Sequence, residues 1–217
     1  MLFRFVTVTE PARTAPKQWD VYEANTPLPA VVLSYPIPGA ASPDLPALIV
    51  LDAILSKGES SRLYESLVYR QQIASEAFTS LEYRQGPSAY LIGAVLSEGK
   101  TPEAGEAAIL KELARVRGGP VSAAELAEAK NQLITDTLET RETVDGKASE
   151  LAQAVVMFGD PEAMNRLLPS IQKVTAADVQ RVARAYLTDN RRAVIRYRSD
   201  ADKPAGAKTY GVASTVR

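Results

Sequence analysis

Neither histidine nor cysteine occurs anywhere in the 217 residues. Without imidazole or thiol the chain cannot assemble a histidine-based triad, a cysteine nucleophile, a disulfide, an iron–sulfur site or the usual nitrogen and sulfur shell of zinc. An excess of positive charge is missing too: 25 basic side chains face 26 acidic ones. That balance argues against a nucleic-acid partner, because counterion release needs a basic stripe. The longest uninterrupted apolar run, Ala89 to Leu96, contains a glycine and falls far below the ~20 residues that span a bilayer. The opening MLFRFVTVTE alternates and has no apolar block followed by a small-residue cleavage site, so it does not read as a signal peptide. What is present is apolar material, 46% of the chain, over a length that typically buries roughly 70% of its unfolded surface. A proper core is expected, in one large domain or two small ones. Chemistry is left to carboxylates, Lys, Tyr, Ser and Thr.

Along the chain, Phe3–Thr9 alternates as a strand does, and residues 11–16 mix Pro, Ala, Thr and Arg as a linker does. Gln18–Ala24 and Ala30–Ile37 read as strands, the second so apolar that it belongs in the middle of a sheet. After a proline-rich break, Ala47–Ser56 has helical spacing and Gly58 stops it. Ser60 or Ser61 can cap a further helix through Gln71, with Leu63, Leu67 and Val68 on one face. Ile73–Arg84 and Ser88–Ser97, joined by Gln85-Gly86-Pro87, form the plainest hairpin. Beyond Gly99 the pattern is mostly helical. Thr101-Pro102 marks a helix start, and Ser122-x-x-Glu125 and Thr175-x-x-Asp178 have the form of capping boxes. A strand over Ala193–Arg198 precedes a tail expected to fray. The order predicts an α+β fold rather than βαβ alternation.

Several candidate motifs weaken on inspection. Gly93 to Thr101 brings a strand, Gly-Lys-Thr and a helix start in the order of a phosphate-binding loop. Five residues separate its glycines where that motif needs four, and Pro102 removes an amide donor. Ser97-x-x-Lys100 has the serine–lysine spacing of penicillin-recognising enzymes, but it lies in a turn and no companion motif follows. Arg181, Arg184, Arg191, Arg192, Arg196 and Arg198 read as a solvated face near a helix C-terminus, or as a docking surface for an acidic partner. Glu125, Glu128, Glu139, Glu142 and Glu150 are expected to face solvent, and no Asp-rich calcium loop exists. No metal is assigned.

The segment Gly58-Glu59-Ser60-Ser61-Arg62-Leu63-Tyr64-Glu65-Ser66-Leu67-Val68, with Ser97-Glu98-Gly99-Lys100-Thr101-Pro102-Glu103, resembles the C-terminal half of bacterial insulinase-like (pitrilysin-type) zinc peptidases, relatives of the mitochondrial processing peptidase. Leu28-Pro29-Ala30-Val31 and Pro43-Asp44-Leu45-Pro46-Ala47-Leu48 are similar to its opening strand and helix. Glu125-Leu126, Ala129-Lys130-Asn131-Gln132-Leu133 and the run Val174 to Ala183 are similar to its helical block. The likeness covers about residues 17–198, leaving residues 1–16 as strand and linker and 199–217 as a tail expected to be mobile.

The resemblance implies a mixed, largely antiparallel sheet of about five to six strands with helices on one face. It implies two homologous halves that close around an unfolded peptide, with zinc held by a His-x-x-Glu-His motif in the other half. A chain without histidine is then the other, inactive half, with no cofactor of its own. In the family an arginine after Leu-Val and a tyrosine six or seven residues on help to bind substrate. Here Tyr69 follows Leu67-Val68, the tyrosine position falls near Ser75 or Glu76, and Arg70 comes one residue late, rotated by about 100° in an α-helix. Tyr69, Arg70 and Ser75 are therefore candidates for substrate contact by position alone, and no residue is assigned to catalysis. A non-proteolytic assembly subunit and a stand-alone enzyme using Ser97 and Lys100 remain open alternatives. The compartment, bacterial periplasm or cytoplasm, is also open.

Overall fold

Alternating burial along Ala30–Ile37 sets the architecture. In the computed structural model, which describes residues 13–206 except Asn25, β1 (Lys17–Glu23), β2 (Ala30–Ile37), β3 (Ala74–Glu82), β4 (Ser88–Leu96) and β5 (Ala193–Ser199) form one open sheet in the order β1-β5-β2-β4-β3. Only the β1–β5 pair is parallel. The strand expected at Phe3–Thr9 and the tail from residue 207 onward lie outside the described residues. β2 is central, as its composition predicts, and its Val31, Leu33, Tyr35 and Ile37 are buried. Tyr90, Ile92, Ala94 and Leu96 of β4 are buried beside them on the same face.

That face is covered by helices. α1 (Leu45–Ser56) and α2 (Pro102–Gly118) pack against the sheet, as does α6 (Ala176–Tyr186); α3 (Ala123–Glu142), α4 (Val144–Phe158) and α5 (Ala163–Lys173) form an outer layer on α1. The predicted stops and starts are met physically. Gly58 adopts a left-handed φ of 75° just past α1, a conformation that costs a side chain about 1–2 kcal/mol. Thr101 caps α2 by accepting from the Ala104 amide, and both predicted capping boxes are complete. Gly105 lets α2 lie directly on β2 and β4, because a Cβ there would press on Leu96 and Val31. Ala123–Glu142, Val144–Phe158 and Ala163–Lys173 confirm the helical block, and no described helix is long and apolar enough to cross a membrane.

Of the six C-terminal arginines expected on a solvated face, Arg181 and Arg184 are exposed, but Arg192, Arg196 and Arg198 are drawn into the fold. Arg196 and Arg198 point to the helix side of β5, because register puts Ile195 and Tyr197 opposite Val32 and Ala30 on the other side. Arg196 donates to Glu106 of α2 at 2.6 and 3.0 Å. Arg198 donates to Asp20 at 2.7 Å and also meets Glu103, and Arg192 lies 3.8 Å from Glu106. These carboxylates clamp the C-terminal strand to β1 and α2, so the cations are consumed inside the fold. Arg181 and Tyr186 of α6 both donate to Asp44, at 2.7 and 2.6 Å, tying α6 to the start of α1. Burial raises the Asp44 carboxyl, but those two hydrogen bonds outweigh it and hold the pKa below the usual value.

Removing a buried ionic partner strands its counterpart, whereas an exposed pair adds little. Glu106→Ala is therefore expected to lower stability by about 3 kcal/mol, against at most about 1 kcal/mol for Arg181→Ala, as read by urea denaturation.

Candidate functional site

The candidate residues lie on an irregular stretch that begins after Gly58. Ser61 does not cap it by accepting an amide; its hydroxyl donates to the Gly58 carbonyl at 2.7 Å. Residues Tyr64–Arg70 form a π-helix rather than the predicted α-helix. The Gln71 amide reaches back five residues to the Ser66 carbonyl at 3.1 Å, and side chains pair at the same spacing. Arg70 meets Glu65, and Gln71 Nε2 donates to Ser66 Oγ at 2.8 Å. The expected rotation of about 100° per residue is thus wrong here, because a wider turn advances each residue less. Leu63 and Leu67 are fully buried, while Tyr69 is 75% exposed.

Gln72 then takes a left-handed φ of 51°, and the chain enters β3 through a bulge. Ala74 pairs with Leu96 and Glu76 with Val95, so Ser75 is the extra residue. Its hydroxyl donates to the Val95 carbonyl at 3.3 Å. Tyr69 and Arg70 are neighbours at the end of the π-helix, Ser75 lies on the sheet edge, and the two elements pack together; no hydrogen bond joins the three side chains. π-turns, left-handed non-glycine residues and bulges concentrate at binding sites because they aim side chains that regular backbone cannot.

Beside the π-helix is a polar pocket of about 210 Å³ lined by Arg62, Glu65, Ser66, Arg70, Glu112, Arg115 and Glu125. Arg62 grips Glu125 in a two-point contact at 2.7 and 3.1 Å. Led by that bond, and against the opposing push of burial, the Glu125 pKa falls from 4.5 to about 2. Glu112 is 2% exposed and accepts from Ser66 at 2.8 Å and from Arg115 at 3.0 Å. Three guanidinium groups thus face three carboxylates, and Arg70 and Arg115 keep most of their surface in solvent. Such a site can orient a polar peptide segment by exchanging partners. Its residues do not fit zinc, and among the described residues no group of three or more acidic side chains converges to hold a metal ion.

Glu125 and Glu150 are not the solvent-facing acids the sequence suggested: one holds Arg62, the other Arg141 at 2.7 Å. Ser97 and Lys100 are linked only through a backbone turn, amide to carbonyl at 3.1 Å, and their side chains do not meet. Sequence reasoning missed Glu112, although it falls in phase with the buried Ala108, Ile109, Leu113 and Val116 of α2. An acid on an apolar helical stripe was the available signal.

The other face of the sheet has no helix on it among the described residues. Register assigns it Trp19 and Val21 of β1, Ile195 and Tyr197 of β5, Val32 of β2, Leu91 of β4 and Phe78 of β3. The Phe78 ring lies over Gly93, where any Cβ would collide with it. β3 turns Glu76, Ser80 and Glu82 to this side as well, while the bulge sends Ala74 to the helix side.

Because the Glu125 pKa is depressed on folding, its contribution is present above the unfolded value and is lost as pH falls from about 4.5 toward about 2. Glu125→Gln is expected to flatten the acid limb of the stability–pH curve measured by urea denaturation. Relief of the left-handed strain makes Gln72→Gly stabilising by about 1 kcal/mol in the same assay.

Residues 6–133 match the family described as Peptidase M16 inactive domain. The zinc protease PqqE of Helicobacter pylori is 27% identical over 180 residues, 83% of this chain but 40% of that protein. A solved protease structure from Helicobacter pylori superposes with a TM-score of 0.87 at 24% identity, covering 91% of this chain and 47% of the other. The inactive peptidase domain of a Bordetella parapertussis protease gives 0.72 at 27% identity over 82% of this chain and 96% of that domain. The chain therefore spans less than half the length of the Helicobacter proteins it matches and nearly all of the isolated Bordetella domain. With the family match covering more than half of its residues, this chain belongs to the inactive-domain family of the M16 zinc peptidases.

Proposed function

We propose that this chain is the catalytically incompetent half of a zinc-dependent peptidase, pairing with a zinc-bearing His-x-x-Glu-His half to enclose an unfolded peptide. The observation that carries the reading is the sheet face that no described helix covers, with Trp19, Phe78, Leu91, Ile195 and Tyr197. An antiparallel sheet commonly leaves one side to water, but that side is then polar. A broad apolar and aromatic face instead marks a surface that meets a partner or a ligand. The shortness of the chain against its Helicobacter relatives leaves room for a second half of similar size.

In this reading the chain contributes surface and charge, and the attacking water and its metal belong to the partner. Peptide backbone meets the apolar face and the edge of β3, beyond whose outer amides and carbonyls no strand lies among the described residues. Tyr69 supplies an exposed ring at the chamber rim, Ser75 a hydroxyl at the bulge, and Arg70 a cation that can leave Glu65 for an acidic side chain of the peptide. Substrate is thereby held extended against the zinc of the other half, which supports turnover through positioning rather than proton transfer.

Incubated alone with zinc and an unfolded peptide, the chain is expected to give no hydrolysis, and adding the zinc-bearing half should produce chelator-sensitive cleavage. Trp19→Ala should weaken binding of the unfolded peptide to the paired halves by about tenfold or more, read by calorimetric titration. Chelator-sensitive cleavage by the chain alone would overturn the proposal. Co-purification in a complex whose other chains lack His-x-x-Glu-His would replace it with a non-proteolytic assembly role.

A further inference from the structure

A second cavity, of about 340 Å³, opens on the helix side of the sheet between α1, the end of β3 and the α3–α5 layer. It shares no lining residue with the polar pocket beside the π-helix. Its walls are apolar, including Ile49, Leu81, Leu133, Phe158 and Leu167, and these side chains stay partly accessible although they adjoin the core. The size falls within the usual range for small-molecule sites, about 300–1,000 Å³.

One wall carries a carboxylate that the fold leaves without a cation. Asp52 sits on α1 one turn after Leu48, beside the buried Leu51, and forms no ion pair. Its Oδ1 accepts from Thr79 Oγ1 at 2.6 Å. That bond uses the only hydroxyl hydrogen of Thr79, so Ser56, which contacts the same oxygen, must donate to it. The fully buried Tyr90 hydroxyl lies against Asp52 and Thr79 and, with Thr79, favours the carboxylate form of Asp52. Lys57, the nearest cation acting on Asp52, is committed to Asp136.

Nothing at the far end of the cavity balances this charge. Arg141 donates to Glu150 at 2.7 Å and to the Met164 carbonyl at 2.7 Å, so its charge is spent. The lining therefore has two carboxylates, Asp52 and Glu150, against one guanidinium. Burial pushes the Asp52 carboxyl above its usual pKa, as expected of an acid held in apolar surroundings without a counterion. A cation delivered on an apolar body would relieve that desolvation while the body fills the walls.

We propose that this cavity binds a small ligand carrying a primary ammonium on an apolar body, with the ammonium donating to Asp52. The inference rests on this cavity alone and stands whether or not the chain pairs with a zinc-bearing half.

Calorimetric titration of the full chain with phenethylamine and with its uncharged analogue phenethyl alcohol tests it. The amine is expected to bind at least about tenfold more tightly than the alcohol. Asp52→Asn should make the two equal, and Leu81→Trp, which fills the mouth of the cavity from β3, should abolish both. Circular dichroism confirms that each variant is folded. Equal affinity of amine and alcohol for the unaltered chain, no binding of either, or undiminished amine binding by folded Leu81→Trp would each overturn the assignment. Should Asp52→Asn fail to fold, the amine-to-alcohol ratio of the unaltered chain and the Leu81→Trp result decide the matter without it.

Discussion

One-sided burial of the sheet is the constraint on which the rest depends. Val31, Leu33, Tyr35 and Ile37 of the central strand have no accessible surface to spare, and each neighbouring strand is fixed in register by having to bring its own apolar residues to that face. A slip of one residue would turn every side chain over. The helices that cover the face are then held in the only positions that fill it, with Gly105 allowing the closest approach. The same constraint leaves the opposite face bare, and there the apolar and aromatic side chains have no covering element among the described residues.

Charge completes the packing rather than decorating it. Glu103 and Glu106 on α2 and Asp20 on β1 collect Arg192, Arg196 and Arg198 at the sheet's first edge. Asp44 collects Arg181 and Tyr186. On the other side of the fold Arg62, Arg115, Glu112 and Glu125 bind the π-helix to α2 and α3. Balanced composition allows most of these charges to be met by specific pairing. That pairing leaves Arg70 and Arg115 as cations of the polar pocket with much of their surface in water, and Asp52 as an acid without an ion pair on a cavity whose one guanidinium is held by Glu150.

Local signals were legible where one physical effect dominated. The Gln85-Gly86-Pro87 hairpin, the stop at Gly58, the caps at Thr101, Ser122 and Thr175, and the central place of Ala30–Ile37 each follow from a few adjacent residues. Elsewhere local reasoning failed for nameable causes. Tyr64–Arg70 has helical periodicity, but pairings five residues apart, Arg70 with Glu65 and Gln71 with Ser66, accompany a widening to π geometry that periodicity alone does not show. Arginine spacing suggested an exposed face, because the glutamates that receive those side chains lie about ninety residues away in the chain. Ser75 could be placed in the strand Ile73–Arg84 by pattern, yet its role as the bulge residue depends on where Ala74 and Glu76 meet β4.

By itself, the amino-acid sequence determined the α+β class, the order of elements, the absence of a nitrogen or sulfur ligand set for zinc, and membership in a family of peptidase halves. These follow from composition, from periodicities over a few residues and from motifs read in order. Tertiary structure decided which face of the sheet is bare, which carboxylates are paired, and that the candidate segment is a π-helix feeding a bulge. It also decided that Asp52 opens onto an apolar cavity. Those properties depend on partners distant in sequence, where burial and register, rather than local propensity, choose the neighbour.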